Sequence, residues 1–248
     1  MILLRSAAFN LAYYLWTAVL GLALLPALAM PRRVNMAVAR LWGRGVLALL
    51  AAIVGLTHEV RGLEHKPARA AIVALKHQSA WETIILLLLL PDAAIVYKRE
   101  LHLVPLFGWF IRRLDMVPID RGAGGAAMRK LLRRARACVA QGRLIAVMPE
   151  GTRVALGVRR PYQPGVAALY KDLRLPVVPV ALDSGLFWGR RTFIKRPGVI
   201  TLEFLPPIAP GLDRAAFMAE LETRIETASD RLARAAATAY HLPYPPAG

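Results

Sequence analysis

Six short β-prone runs, 70–75, 93–97, 116–119, 144–148, 177–182 and 199–204, recur through the middle of this chain with helix-patterned stretches between them. Each is too short to be a stable helix and nearly free of charge, so each reads as a buried strand. Strands that alternate with helical segments restrict the chain to an α/β domain.

The N-terminal part follows a different rule. Residues 7–30 carry no charge and are long enough to cross a bilayer, with Asn10 and Pro26 as interruptions and Tyr13, Tyr14 and Trp16 near the start. A cleaved signal peptide is the competing reading, because Arg5, the apolar run and Ala27-Leu28-Ala29 imitate a cleavage site. Arg32, Arg33, Arg40 and Arg44 lead into a second apolar run, 45–57, whose length suits a re-entrant or interfacial helix. Composition turns polar over 58–67, which puts the expected division at 1–57 for a pair of membrane-associated helices and 58–248 for the α/β domain.

Charge and cysteine content narrow the chemistry. Thirty-three Lys and Arg against sixteen Asp and Glu give a net charge of +17, which favours an anionic partner: nucleic acid, anionic lipid or an acidic carrier protein. Cys138 is the single cysteine, so an intrachain disulfide and a Cys/His metal set are both excluded, and a cytosol-facing domain fits. Between strands, Met128, Leu131, Leu132, Ala135 and Cys138 form one helical stripe opposite Arg129, Lys130, Arg133, Arg134 and Arg136, a solvated basic face by default. Phe217, Leu221, Ile225 and Leu232 mark a core-packing helix over 212–239.

The chemistry-bearing stretch is Lys76-His77-Gln78-Ser79-Ala80-Trp81-Glu82-Thr83, lying between a strand-like run and a helix-like one. Side chains five apart on one straight helix point away from each other, so His77 must precede the helix. Ser79-Ala80-Trp81-Glu82 reads as a capping box with Ser79 at the N-cap, and Glu82 reaching back toward His77. A near-neutral imidazole oriented by a carboxylate can take a proton from a hydroxyl. Taken alone, H-x4-E is more often a capped helix beside a turn histidine.

A second stretch changes that balance. Met148-Pro149-Glu150-Gly151-Thr152-Arg153 follows the 144–148 strand, at the C-terminal end where α/β proteins bind ligands. Together with His77 and Glu82 it resembles the glycerolipid acyltransferase family, whose pattern is H-x4-D followed by a P-E-G-T-R block. Two more stretches resemble blocks of that family: Lys98-Arg99-Glu100-Leu101 with Val117-Pro118-Ile119-Asp120-Arg121, and Leu175-Pro176-Val177-Val178-Pro179-Val180-Ala181. The resemblance spans 76–181 and departs at one point, since the family usually has aspartate where this chain has Glu82.

The resemblance implies a mixed sheet flanked by helices, preceded by the membrane-associated pair, and an acyl transfer onto the sn-2 hydroxyl of 1-acyl-glycerol-3-phosphate. It implies His77 as general base with Glu82 as its orienting carboxylate. Lys98 and Arg121 would sit beside the substrate phosphate, and Glu150 and Arg153 would bind the glycerol phosphate part, with Gly151 and Thr152 substrate-binding members of the same block. Pro179 would stand at an edge or bulge as a wall of the substrate groove. The acyl donor would be acyl carrier protein thioester or acyl-CoA as co-substrate, with no metal or bound cofactor. The expected location is the inner (cytoplasmic) membrane, against anionic lipids, with the catalytic domain facing the cytoplasm. Another acceptor, such as glycerol 3-phosphate, a lysophospholipid or an ornithine lipid, would suit the same machinery. A catalytically silent membrane-binding homologue is the reading if Glu82 marks decay of the pair, against which Glu150 and Arg153 count. A nucleic-acid partner lacks a binding motif in the sequence.

Overall fold

The computed structural model describes residues 1–90, 92–120 and 124–244. Two helices lead, α1 (Ile2–Ala23) and α2 (Arg32–Leu49), with a π turn over Leu50–Val54 that carries α2 on to Gly55. Seven strands follow, β1 (Leu56–Arg61), β2 (Ile72–Leu75), β3 (Ala94–Lys98), β4 (Val117–Ile119), β5 (Ile145–Val147), β6 (Val177–Leu182) and β7 (Gly198–Phe204). The helices among and after them are α3 (Trp81–Leu89), α4 (Phe107–Arg113), α5 (Gly124–Ala140), α6 (Pro164–Leu173), α7 (Ser184–Phe187) and α8 (Arg214–Ala239).

The strands form one mixed sheet in the order β1-β7-β6-β2-β5-β3-β4. Strands β2 to β6 run parallel, while β7 pairs antiparallel with β6 and parallel with β1. Alternate residues of the central strands feed two cores. Val73, Leu75, Ala146, Val178 and Val180 pack toward α1, α2 and α3, and Ile72, Ala74, Ile145, Val147 and Val177 pack toward α5, α6 and α8. Burial on both faces is why these strands read as continuous apolar runs.

Two expectations need correction. The polar stretch 58–67, expected as the join between two units, holds most of β1, an edge strand with Thr57, His58 and Arg61 exposed. Pro179, expected at an edge or bulge, lies in β6, an interior strand, so of the two the edge alternative is corrected. The proline is tolerated because β6 and β7 lose register there: the step from Val180 to Val177 faces a longer step from Phe204 to Ile208, which is a bulge.

Both leading helices are long and apolar enough to cross a membrane by length and composition. Ile2, Leu3, Leu4, Leu11, Tyr14, Leu15, Val19 and Leu22 leave α1 with an exposed apolar surface, the mark of a helix that associates with lipid. Its other side belongs to the fold. Phe9 is fully buried against Trp188, and the Ser6 hydroxyl and the Lys195 backbone exchange hydrogen bonds. Gly45 of α2 lets Trp16 close the helix pair, since a Cβ there would lie 2.3 Å from the indole. On the sheet side, the Arg32 guanidinium pairs with both Asp92 oxygens, tying the start of α2 to the entry of β3.

Candidate active site

Three parallel strands end together, and their C-terminal ends carry the chemistry. The turn after β2 supplies His77, the end of β3 supplies Lys98, and the turn after β5 supplies Gly151, Thr152 and Arg153. All five line one cleft of about 2080 Å³ that is open to solvent, with the first turns of α3, α5 and α6 and the side chains of Tyr13, Trp42 and Phe107 also in its wall. This is where α/β sheets place ligands.

The turns are stitched to each other by backbone. His77 C=O accepts from Val154 N at 2.8 Å, and His77 N donates to Glu150 Oε1 at 3.4 Å. Gly151 adopts φ 71°, a left-handed conformation that glycine meets without strain, and its N–H closes the turn onto Met148 C=O at 3.0 Å.

Glu82 is fully buried. Its Oε1 accepts from Gln78 N at 2.7 Å, Ser79 N at 2.8 Å and the Ser184 hydroxyl at 2.7 Å, and Oε2 accepts from Ser79 N at 3.0 Å. The carboxyl thus gathers the two residues that follow His77 and fixes the turn. Burial pushes it up to about 7, while the bonds from Gln78, Ser184 and Ser79 pull it down. The expected capping box is formed only in its returning half. Helix α3 has Ala80 at its N-cap, and Ser79 Oγ accepts from Trp81 N at 3.1 Å.

Three expected site residues are not at the cleft surface. Glu150 points away from it, buried, with Oε1 3.1 Å from Lys76 Nζ, and burial raises its carboxyl above the ordinary range despite that ammonium. Pro179 is buried within β6 and does not line the cleft. Glu82 lies beneath the turn. Arg121 lies outside the described residues. Lys98 is half exposed and pairs with Glu100 at 3.2 Å, whereas Arg153 has no ion-pair partner among the described residues.

Several participants carried no local signal. Ser184 bonds Glu82, and Gln78 Oε1 accepts from Gly185 N at 2.9 Å, so the turn after β6 braces the His77 turn from a hundred residues away. A serine two residues past an apolar strand is the only hint. Beside the cleft lies a second cavity of about 950 Å³ counted with its open mouth, walled by Thr17, Leu20 and Gly21 of α1, Ala39 and Trp42 of α2, Leu87 of α3 and Phe110 and Ile111 of α4. It is apolar and meets the cleft at Trp42, Thr83, Ile95, Tyr97, Leu101 and Phe107, which line both. Tyr97 bonds His102 at that junction, and burial pushes its hydroxyl up to about 12, so it stays protonated.

Known proteins resemble this chain. A family model described as Acyltransferase matches residues 57–183. The 1-acyl-sn-glycerol-3-phosphate acyltransferase of Pseudomonas aeruginosa is 34% identical over 185 residues, 75% of this chain and 72% of that protein. The protein of the same name from Limnanthes alba is 31% identical, covering 68% of this chain and 60% of the relative. The crystal structure of the 1-acyl-sn-glycerophosphate acyltransferase of Thermotoga maritima superposes with a TM-score of 0.75 over 94% of this chain and 98% of that one, at 22% identity. That last likeness bears on the fold.

Proposed function

The chain belongs to the acyltransferase family, and on that premise we propose that it moves a fatty acyl group from a thioester to the sn-2 hydroxyl of 1-acyl-glycerol-3-phosphate, giving phosphatidate. The observation that carries this reading is the junction of a cleft that gathers His77, Lys98 and Arg153 with an apolar cavity between the leading helices and the sheet. One half suits a phosphorylated glycerol and the other an acyl chain.

In this reading His77 takes the proton of the sn-2 hydroxyl as the oxygen attacks the thioester carbonyl. The tetrahedral adduct collapses, the C–S bond breaks, and the imidazolium returns its proton to the leaving thiolate. Glu82, held in the turn, orients the imidazole and offsets its positive charge. Arg153 and Lys98 meet the phosphate, with Arg121 added on the family resemblance alone. Glu150 acts through the turn and not by touching substrate, which follows from its burial. No metal or bound cofactor takes part. The donor is an acyl carrier protein or coenzyme A thioester, both anionic, and Lys130, Arg133 and Arg134 form with Arg99 and His102 a basic groove on the α5 side of the site. The apolar face of α1 would hold the cleft at the cytoplasmic surface of the inner membrane, where such thioesters are found.

Purified protein in detergent, given lysophosphatidate and each of the two thioesters, should form phosphatidate with at least one. Product only with glycerol 3-phosphate or another lyso-lipid would replace the acceptor, and no product with any would sink the reading. In the same assay Arg153→Ala should raise KM for lysophosphatidate about tenfold to a hundredfold, the worth of a hydrogen bond to a charged group, and leave KM for the donor in place. Equal effects on both would take Arg153 away from the phosphate.

Ala39→Phe should shift chain-length preference, because the ring would occupy the apolar cavity lined by Ala39. Each methylene excluded forfeits about 0.8 kcal/mol, roughly a fourfold change in kcat/KM. Competing C12 and C16 thioesters measure it; an unchanged ratio would place the donor chain elsewhere.

A further inference from the structure

Lys76 ends the strand run that leads to His77, yet its side chain turns away from the cleft. Its ammonium lies 2.6 and 2.8 Å from the two oxygens of Glu226 on α8, and 3.1 Å from Oε1 of Glu150. The Tyr162 hydroxyl donates to Glu226 Oε1 at 2.9 Å. Glu150 Oε1 in turn receives the backbone N–H of His77. All four side chains are buried, and none lines the cleft.

An array of this kind is poor value as a stabiliser. Desolvating three ionisable groups costs about as much as their attraction returns, and apolar replacements often do as well or better. Helix α8 already has Phe217, Leu221, Ile225 and Leu232 buried to hold it on the domain. What an apolar replacement would lack is a directional grip on the backbone of residue 77. The array also brings one ammonium to two carboxylates, so its charge is balanced only when one carboxyl carries a proton; burial pushing Glu150 upward fits that.

We propose that Glu226 is a positioning residue for the general base: through Lys76 and Glu150 it fixes the His77 turn from the opposite side of the sheet, and its charge helps set the proton affinity of His77. The proposal rests on the acyl-transfer reading for its kinetic consequences. It reaches beyond it in assigning a catalytic duty to the C-terminal helix, which otherwise reads as packing. Among the described residues, the other charged groups around His77 are Glu82 beneath the turn, Glu150 and Arg153 after β5, and Lys98 at the end of β3. All remain in Glu226→Gln, so a change in titration is assignable to position 226 and the Lys76 array.

The test is Glu226→Gln in the full chain. A small displacement of a catalytic group costs up to about a hundredfold, and we expect kcat to fall about tenfold to a hundredfold with KM for both substrates within twofold. With position 226 neutral, Lys76 is left to Glu150 alone, which then ionises, so the array's negative charge moves to the carboxylate that holds residue 77. That favours imidazolium, and the acid limb of kcat/KM should move to higher pH. An NMR titration of the His77 imidazole should move the same way, and it reads the coupling whatever the acceptor is. Tyr162→Phe, which removes one bond to Glu226 and empties little space, should lower kcat in the same sense by less, and decides the matter if Glu226→Gln does not fold. Parent-like kcat and an unmoved His77 titration in a folded variant would overturn the proposal, as would a loss of rate that only tracks the folded fraction. Failure of the parent to acylate lysophosphatidate, with the His77 titration still shifted, would instead fault the substrate reading.

Discussion

His77→Ala should lower acyl transfer by about two to four orders of magnitude, the usual contribution of a general base, while the chain stays folded and membrane-associated. The loss should be that large because His77 is the one histidine among the described residues lining the cleft, so nothing there substitutes for it. The fold should survive because what holds residue 77 is its backbone. Its C=O is bonded by Val154 N and its N–H is bonded by Glu150, and alanine keeps both. The side chain is half-buried at the cleft surface, so truncation opens into solvent and not into a sealed core. Turnover with lysophosphatidate, measured beside the melting temperature, checks it. A well-folded variant with near-parental turnover would end the mechanism, since no acyl-enzyme route is available to the one cysteine: Cys138 is buried in α5, and burial raises its thiol.

The parts of this fold that were legible in sequence are those whose determinants are local. Strand β6 spans the expected 177–182, and the other five expected strands lie within two residues of their places, because burial on both faces writes an unbroken apolar run. Strand β1 left no such run, because it is an edge strand with polar residues exposed, and its register with β7 is set by residues some 140 positions away. The antiparallel entry of β7 between β1 and β6 was equally invisible. Within the site, the convergence of His77 with 151–153 and Lys98 was legible, since each follows an apolar strand run. The direction of Glu150 was not. A carboxylate beside a glycine turn reads as a ligand group until Lys76, itself held by Glu226 from 150 residues away, is seen to claim it. Helix α8 hid its polar member for a related reason: Glu226 adjoins Ile225 in a stripe whose apolar members explain the helix by themselves.

Glu82→Gln should cost about two to four orders of magnitude in kcat, as loss of the orienting carboxylate does in an Asp-His pair, and should do so without unfolding the protein. Glutamine can leave its carbonyl oxygen where Oε1 accepts from Gln78 N, Ser79 N and the Ser184 hydroxyl, so the turn keeps its principal fastenings. What it cannot do is carry the charge that offsets imidazolium. Activity and stability should then part company with pH. Burial raises the folded Glu82 carboxyl to about 7 from an ordinary value of 4.5, so the native state binds the proton more tightly than the unfolded chain. Stability from this group is therefore full below about 4.5 and is lost as pH rises toward 7. Glutamine does not titrate, so the melting temperature of the variant should gain on the parent between pH 5 and pH 8, over the range in which the parent's activity rises as Glu82 ionises and His77 becomes neutral, a titration belonging to the pair. Glu82→Asp keeps the charge and should retain most of the rate. Melting curves and kcat/KM profiles across that range measure both quantities on the same samples. A Glu82→Gln protein as active as the parent from pH 6 to 8 would reduce Glu82 to a fastening of the turn, and His77 would need another partner.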